Sequence, residues 1–464
     1  MALGMAAVGI GVLDGRSGEL AAATGTTAAG VSTPIVSARR VPMLLGRSTA
    51  LRRLRTAVEP LLAKAPANHC VAMAEGGQQL IDSRGSEALM PGSNAKLLTA
   101  NAMLSEIGAD TTFETTFIAE SALGSDGAIG SNLWMVGGGD PLITTDPYRQ
   151  TNKYGPDVQH TSLEAIADTL VAAGLKRVGG SVVGDESRYD TERTVASWPD
   201  RYLAEAQVGP LTALSVNDAR TYPAIAGQSS GTPQPSKDPA AYAADALTQL
   251  LRQRGVEVVG EAAAGQSPSG GTKLASVASL PVRDIVREML SYSDNNTAEL
   301  MLKELGHRAG VQPGNTAAGI AVVADVLSQQ SIPVEGMVVV DGSGLDRGTR
   351  VSCATLQSVL AAAGPSGDLA NGLAVAATSG TLEDRYRRSP AAGKVRAKTG
   401  TLRDVTALSG WVVTDPGRNV TFSILFNLDD RQVSDSDLLL TQRMTEAALS
   451  YPDSPDLSAL VPAP

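Results

Sequence analysis

The sequence predicts an α+β fold, an antiparallel sheet sandwiched by helices and interrupted by a large, mainly β insert. Three observations predict it. The chain begins with the pattern of a helix and a hairpin, and it closes with two long strands and a helix. Beyond residue ~111 short strands and Gly-rich turns take over, and from about Leu280 to residue ~363 the chain is mainly helical. The order helix–strands–insert–helices–strands–helix brings both ends of the folded body onto one sheet face.

Leu51, Leu54, Val58, Leu61 and Leu62 recur at helical spacing, which predicts a helix over Ser48–Ala65. Cys70–Met73 and Gln79–Ile81 read as a hairpin around Gly76-Gly77. Pro91-Gly92 then precedes Ser93 and an apolar helical stretch, Ala95–Ile107. In the insert, helices are expected at Leu163–Ala173 and Ala240–Arg254, with a strand at Val256–Val259. Residues 226–238, rich in Ser, Pro, Gly and Gln, form an exposed loop. A strand-like run Gly393–Thr401 is followed by strands Val405–Val413 and Val420–Phe426, split by Asp415-Pro416-Gly417, and by a closing helix at Asp435–Leu449. The expected domains are 48–111 with 276–453, and an insert at 112–275 holding a nested subdomain near 186–245; segments 1–47 and 454–464 flank them.

At 464 residues, two or three domains fit. Net charge is −10, without a basic arm or interleaved aromatic and basic residues, which argues against nucleic acid as a partner. No Cys/His cluster has zinc spacing and no Gly-rich loop has the dinucleotide pattern, so no cofactor or metal is implied. Cys70 and Cys353, the only cysteines, could pair in an exported protein, but nothing in the sequence shows that they meet. Residues 1–13 are apolar and too short to span a bilayer. They look like a signal or anchor remnant that lacks its basic start, followed by Ala21-Ala22-Ala23 and a linker at 24–47.

The chemistry lies in three strings: Ser93-Asn94-Ala95-Lys96, Ser293-Asp294-Asn295 and Lys398-Thr399-Gly400. Each is weak alone; all three in this order are a strong signal. Ser93 and Lys96, three apart on one helix, share a face. A serine hydroxyl needs a base, and His69, His160 and His307 all lie outside the strings, so Lys96 is expected to take the proton. That role requires a depressed Lys96 pKa, through burial and the neighbouring Lys398. Ser293 suits a proton relay to the leaving amine, and the Asn295 amide suits substrate N–H and C=O groups. Without its companions the second string would read as a helix cap. Lys398 and Thr399 offer a charge and a hydroxyl to a terminal carboxylate, and Gly400 lets a substrate backbone approach. The backbone N–H groups of Ser93 and Thr401 would form the oxyanion hole. Lys394 and Arg396 read as a solvated strand edge.

These strings are the motif set of serine β-lactamases and penicillin-binding proteins. Residues ~48–450 resemble the D-Ala-D-Ala carboxypeptidases and endopeptidases of peptidase family S13, the low-molecular-mass class C penicillin-binding proteins. Gly139-Asp140-Pro141, Ala213–Asp218 and Asp341–Arg347 carry the branch-level likeness, and the 200 positions between Ser93 and Ser293 match its inserted domain. The resemblance implies a penicillin-binding (transpeptidase-like) fold, peptidoglycan stem peptides as substrate, β-lactams as covalent inhibitors and an exported, cell-envelope location. It also places Asp140 and Arg347 where relatives bind the third stem-peptide residue. Asp140 reads equally as part of a tight turn, and Arg347 as a surface ion-pair partner. The competing functions are a secreted β-lactamase, which the missing E-x-x-L-N pattern and the long insert disfavour, and a non-catalytic β-lactam or cell-wall sensor.

Overall fold

Alternation of side chains along the central strands assigns each sheet face to its own core. A computed structural model describes residues 41–151, 158–228, 231–415 and 417–452; the expectations for 1–13, for Ala21–Ala23, for most of the 24–47 linker and for the 454–464 tail lie outside them. Helix α1 (Val41–Leu62) leads into the hairpin β1 (Asn68–Glu75) and β2 (Gln78–Ser83), and α2 (Lys96–Glu106) follows. In β1, Val71 and Met73 pack with Leu54 and Val58 of α1, whereas Cys70 and Ala72 turn to the opposite core beside Leu97 and Leu98 of α2. One strand thus serves two hydrophobic layers.

The insert contributes strands β3 (Glu114–Ala119) and β4 (Leu133–Val136), helix α3 (Leu163–Ala172), strand β5 (Val182–Asp185), helix α4 (Pro239–Gln253) and strands β6 (Ala263–Ala264) and β7 (Thr272–Ala278). Its five strands lie in the order β6-β5-β4-β3-β7, with β5 parallel to both β4 and β6. Ile166 and Leu170 of α3 and Leu247 and Leu251 of α4 share a core with Phe117, Leu133 and Met135 of this sheet. The strand expected at Val256–Val259 is only Glu257–Val258, paired with Arg177–Val178.

After the insert come α5 (Val282–Tyr292), α6 (Asn295–Arg308), α7 (Thr316–Gln329) and α8 (Cys353–Ala363). The chain then returns to the first sheet through β8 (Ala374–Val375), β9 (Val395–Leu402), β10 (Val405–Val413) and β11 (Asn419–Asn427), and ends in α9 (Asp435–Ala448). The six strands run β8-β9-β10-β11-β1-β2, every neighbour antiparallel. Leu440 and Met444 of α9 join the same core as α1, while α2 and α5–α8 cover the other face. Both terminal helices therefore lie on one face. Cys70 and Cys353 are bonded, tying β1 to the start of α8 across 283 positions. Among the described residues no helix is long and apolar enough to cross a membrane.

Candidate active site

Ser93 sits in a single 3-10 turn, Gly92–Ala95, that runs directly into α2. Its side chain is partly exposed, whereas Lys96 is fully buried, with Nζ 3.0 Å from Ser93 Oγ. The same nitrogen donates to Asn295 Oδ1 at 2.7 Å and to the Ser343 carbonyl at 2.9 Å. Both partners are pure acceptors, so each must receive an N–H. The same nitrogen also lies within hydrogen-bonding reach of the Ser93 hydroxyl. A neutral Lys96 at that distance could take the hydroxyl proton as oxygen attacks.

The second string is placed by a break between two helices. Ser293 ends α5 in the left-handed conformation (φ 66°, ψ 34°), a strained choice for a serine, of order 1 kcal/mol or more. Asp294 then caps α6, its carboxylate accepting from Thr297 N at 2.7 Å. The capping role within this string thus belongs to Asp294, which frees Asn295 to face Lys96. The Asn295 Nδ2 donates to the Gln207 carbonyl of the insert at 2.6 Å, which fixes the amide so that its oxygen meets the amine. Beside Asn295 opens a cleft of about 440 Å³, bordered by Tyr148, Gln207, Asp218, Arg220 and Asp294.

The third string lies in β9 as expected. Lys398 is fully buried and donates to the Thr399 carbonyl at 2.9 Å; Thr399 Oγ1 donates to Thr381 Oγ1 at 2.8 Å. This strand packs on the serine turn so closely that a Cβ at Gly400 would lie 2.8 Å from Pro91 O and 3.0 Å from Asn94 Nδ2. A Cβ at Gly92 would lie 3.6 Å from Thr401 N, so the Thr401 amide borders the turn that carries Ser93.

The remaining two residues are each bonded within the protein. Asp140 is buried; its carboxylate accepts from Leu142 N at 2.9 Å, the bond of a turn, and from Thr161 Oγ1, 21 positions on, at 2.6 Å, and burial lifts its pKa to about 6. Arg347 is half exposed and pairs bidentately with Asp404 at 2.8 and 2.7 Å, which holds the Asp404 carboxyl below its usual range. Lys394 pairs with Asp415 just before β9, whereas Arg396, which donates to Asn371 Oδ1 at 3.2 Å, is no edge residue: it pairs with Val375 of β8 and Trp411 of β10.

Reading the sequence missed two backbone acceptors, the carbonyls of Ser343 and Gln207, because a carbonyl has no side-chain signature. It also missed Glu299, a buried carboxylate in the apolar run of α6. Its position four after Asn295, and so on the same helix face, was the available signal.

A hydroxyl and a buried amine on one helix start, an amide from a helix break and a lysine strand alongside form the arrangement expected of a serine acyl-enzyme site of the penicillin-binding type. The chain belongs to the D-Ala-D-Ala carboxypeptidase 3 (S13) family, which it matches over residues 54–236 and 234–446. It is 30% identical over 457 residues to a D-alanyl-D-alanine carboxypeptidase of Actinomadura sp. (strain R39), covering 82% of this chain and 81% of that one. It is 30% identical over 403 residues to the carboxypeptidase DacB of Mycolicibacterium smegmatis, covering 83% of each. The crystal structure of penicillin binding protein 4 (dacB) from Haemophilus influenzae superposes with a TM-score of 0.69 at 23% identity, over 84% of this chain and 98% of that one. The family read from the three strings and the penicillin-binding fold are both borne out.

Proposed function

We propose that this chain is a serine DD-peptidase that removes the terminal D-Ala from peptidoglycan stem peptides through an acyl-enzyme on Ser93. The observation that carries the reading is the Lys96 amine, anchored on Asn295 and Ser343 and aimed at the Ser93 hydroxyl. Ser93 Oγ attacks the penultimate D-Ala carbonyl while its proton passes to Lys96 Nζ. The Ser93 and Thr401 amides receive the developing oxyanion. As the C–N bond breaks, the proton reaches the leaving D-Ala nitrogen by way of Ser293. Water then attacks the ester, Lys96 taking its proton, and the ester C–O bond breaks to restore the Ser93 hydroxyl. Thr399 and Lys398 receive the terminal carboxylate. A β-lactam enters the same path, but its leaving nitrogen stays tethered in the opened ring, so the acyl-enzyme persists.

Cleavage of D-Ala cross-links belongs to the same proposal, since both reactions pass through one acyl-enzyme. So do Asp140 and Arg347 as contacts of the third stem-peptide residue, if substrate draws them from Thr161 and Asp404. The domain division, with 112–275 as the insert on which one cleft wall is built, is part of the reading. This substrate lies outside the cytoplasm, which puts the enzyme in the cell envelope, with residues 1–13 as part of an export signal or anchor.

The test is incubation with defined stem pentapeptides and cross-linked dimers, following products by mass. Release of free D-Ala is expected, and dimer splitting adds the endopeptidase. Rapid turnover of penicillin without peptide hydrolysis would favour a β-lactamase, and stable acylation without hydrolysis a sensor.

A further inference from the structure

The loop that presents the Ser343 carbonyl to Lys96 is itself held by two buried carboxylates that belong to none of the three strings. Glu299 lies one helical turn after Asn295 on α6, so both side chains leave the same face. Its Oε1 accepts from Ser343 N at 2.7 Å and its Oε2 from Gly342 N at 3.1 Å. From α2, Thr99 Oγ1 donates to the Gly342 carbonyl at 2.9 Å, clamping the loop from its other side. Asp341, at the start of the loop, accepts from Gly344 N at 2.9 Å, Asp346 N at 2.6 Å and Trp198 Nε1 at 3.0 Å. Both carboxylates are fully buried.

One peptide group links these carboxylates to the chemistry. The Ser343–Gly344 peptide has its N–H on Asp341 and its C=O on Lys96 Nζ. A carboxylate accepting that N–H polarises the carbonyl opposite, so the acceptor facing the amine is both fixed and strengthened. The preceding peptide is fixed in turn by Glu299. A burial this deep for two acidic side chains is costly, and packing alone does not require either.

We propose that Glu299 and Asp341 are positioning residues for the acylation step: acting through the Gly342–Gly344 peptides, they hold the Ser343 carbonyl on Lys96 and so set the aim of the amine at Ser93. The inference rests on the DD-peptidase reading above. Asp341 gathers more donors, although burial raises its carboxyl above the usual range. Burial, and then the charge of Asp341, push Glu299 up to about 8. Asp341 is the charged group that bears on Glu299, and Lys96 and the Asp346 amide bear on Asp341 in turn; Lys303, on the same helix as Glu299, is paired with Asp190. Glu299 therefore loses its proton as pH rises through about 8. Ionisation above that adds a second buried negative charge near Lys96, which favours the ammonium form and withdraws the base.

The experiment measures the rate constant for acylation of Ser93 by benzylpenicillin from pH 6 to 10, in the wild type, Glu299→Gln and Thr99→Val, with thermal melts of each. In Glu299→Gln one amide N–H₂ opposes a backbone N–H, so one loop bond is lost; acylation at pH 7 is expected to slow about 10–100-fold. The wild-type decline on the alkaline side should vanish in that variant, since the amide cannot ionise. Thr99→Val removes the other clamp without altering charge and should slow acylation severalfold with the alkaline decline intact. Acylation of folded Glu299→Gln within twofold of wild type, with the same pH profile, would overturn the inference. Should that variant not fold, wild-type rates in Thr99→Val overturn it equally. If the wild type itself is not acylated at Ser93, the DD-peptidase reading fails instead.

Discussion

Replacing Lys96 with Met separates the amine's chemical task from its structural one. The side chain is fully buried, and methionine fills a similar channel without a nitrogen. The bonds that go with the amine include those at 3.0 Å to Ser93, 2.7 Å to Asn295 and 2.9 Å to Ser343. Asn295 Oδ1 and the Ser343 carbonyl then lose a donor, at a cost of about 1–3 kcal/mol each where they stay dry. Relief from burying an ionisable group offsets part of that, so the variant should fold with only a modest fall in Tm. The chemical loss is larger. A positioned base is worth about 10²–10⁴ in rate, or about 3–5 kcal/mol of barrier. Stopped acylation with a fluorescent penicillin, together with D-Ala release from a pentapeptide, should both fall by at least 10². Acylation of the folded variant within threefold of wild type would refute Lys96 as the base.

Other perturbations test the surrounding frame. Gly344 has φ +77°, and a Cβ there would lie 2.0 Å from the Gly92 carbonyl, so Gly344→Ala should part the Ser343 loop from the serine turn. We expect a large fall in Tm with loss of penicillin labelling; a variant labelled at the normal rate contradicts this packing. Asp140, lifted from 3.8 to about 6 by burial, holds a proton in the folded chain that the unfolded chain releases. Its contribution to stability therefore declines as pH rises from 3.8 to 6, by about 3 kcal/mol in all. Asp140→Asn should accordingly gain on wild type in urea melts between pH 4 and 7; a widening deficit would show that the sign is wrong. If its peptide turnover is also unchanged, the turn is the whole role of Asp140. Removing the Cys70–Cys353 bond, which spans 283 positions, by substituting both with Ala should cost up to about 5–6 kcal/mol on loop-entropy grounds. An unchanged denaturation midpoint would rule that contribution out.

What was legible in the sequence was whatever a local pattern controls. Residues Val405–Val413 alternate under a continuous apolar run, and the strand has those bounds. The Gly76-Gly77 turn fixed the first hairpin, and the stripe from Leu54 to Val58 buries as expected. The short insert strands were harder, since two-residue pairings such as Glu257–Val258 depend on partners far along the chain. The same reason hid the disulfide. In the site, Ser93, Lys96 and Asn295 could be named because their types and order are distinctive. The Ser343 carbonyl could not, because any residue offers one and only the fold selects it. Glu299 was hidden differently: between Ala298 and Leu300 it looks like one polar residue on a core helix, and its meaning comes from a loop more than forty positions on.

Ser93 as the acylated atom can be tested most directly by digesting penicillin-treated protein and mapping the adduct by mass. One penicilloyl group is expected, carried on the peptide containing Ser93, and none after Ser93→Ala. A stoichiometric adduct on any other side chain, or undiminished labelling of the Ser93→Ala variant, would contradict it.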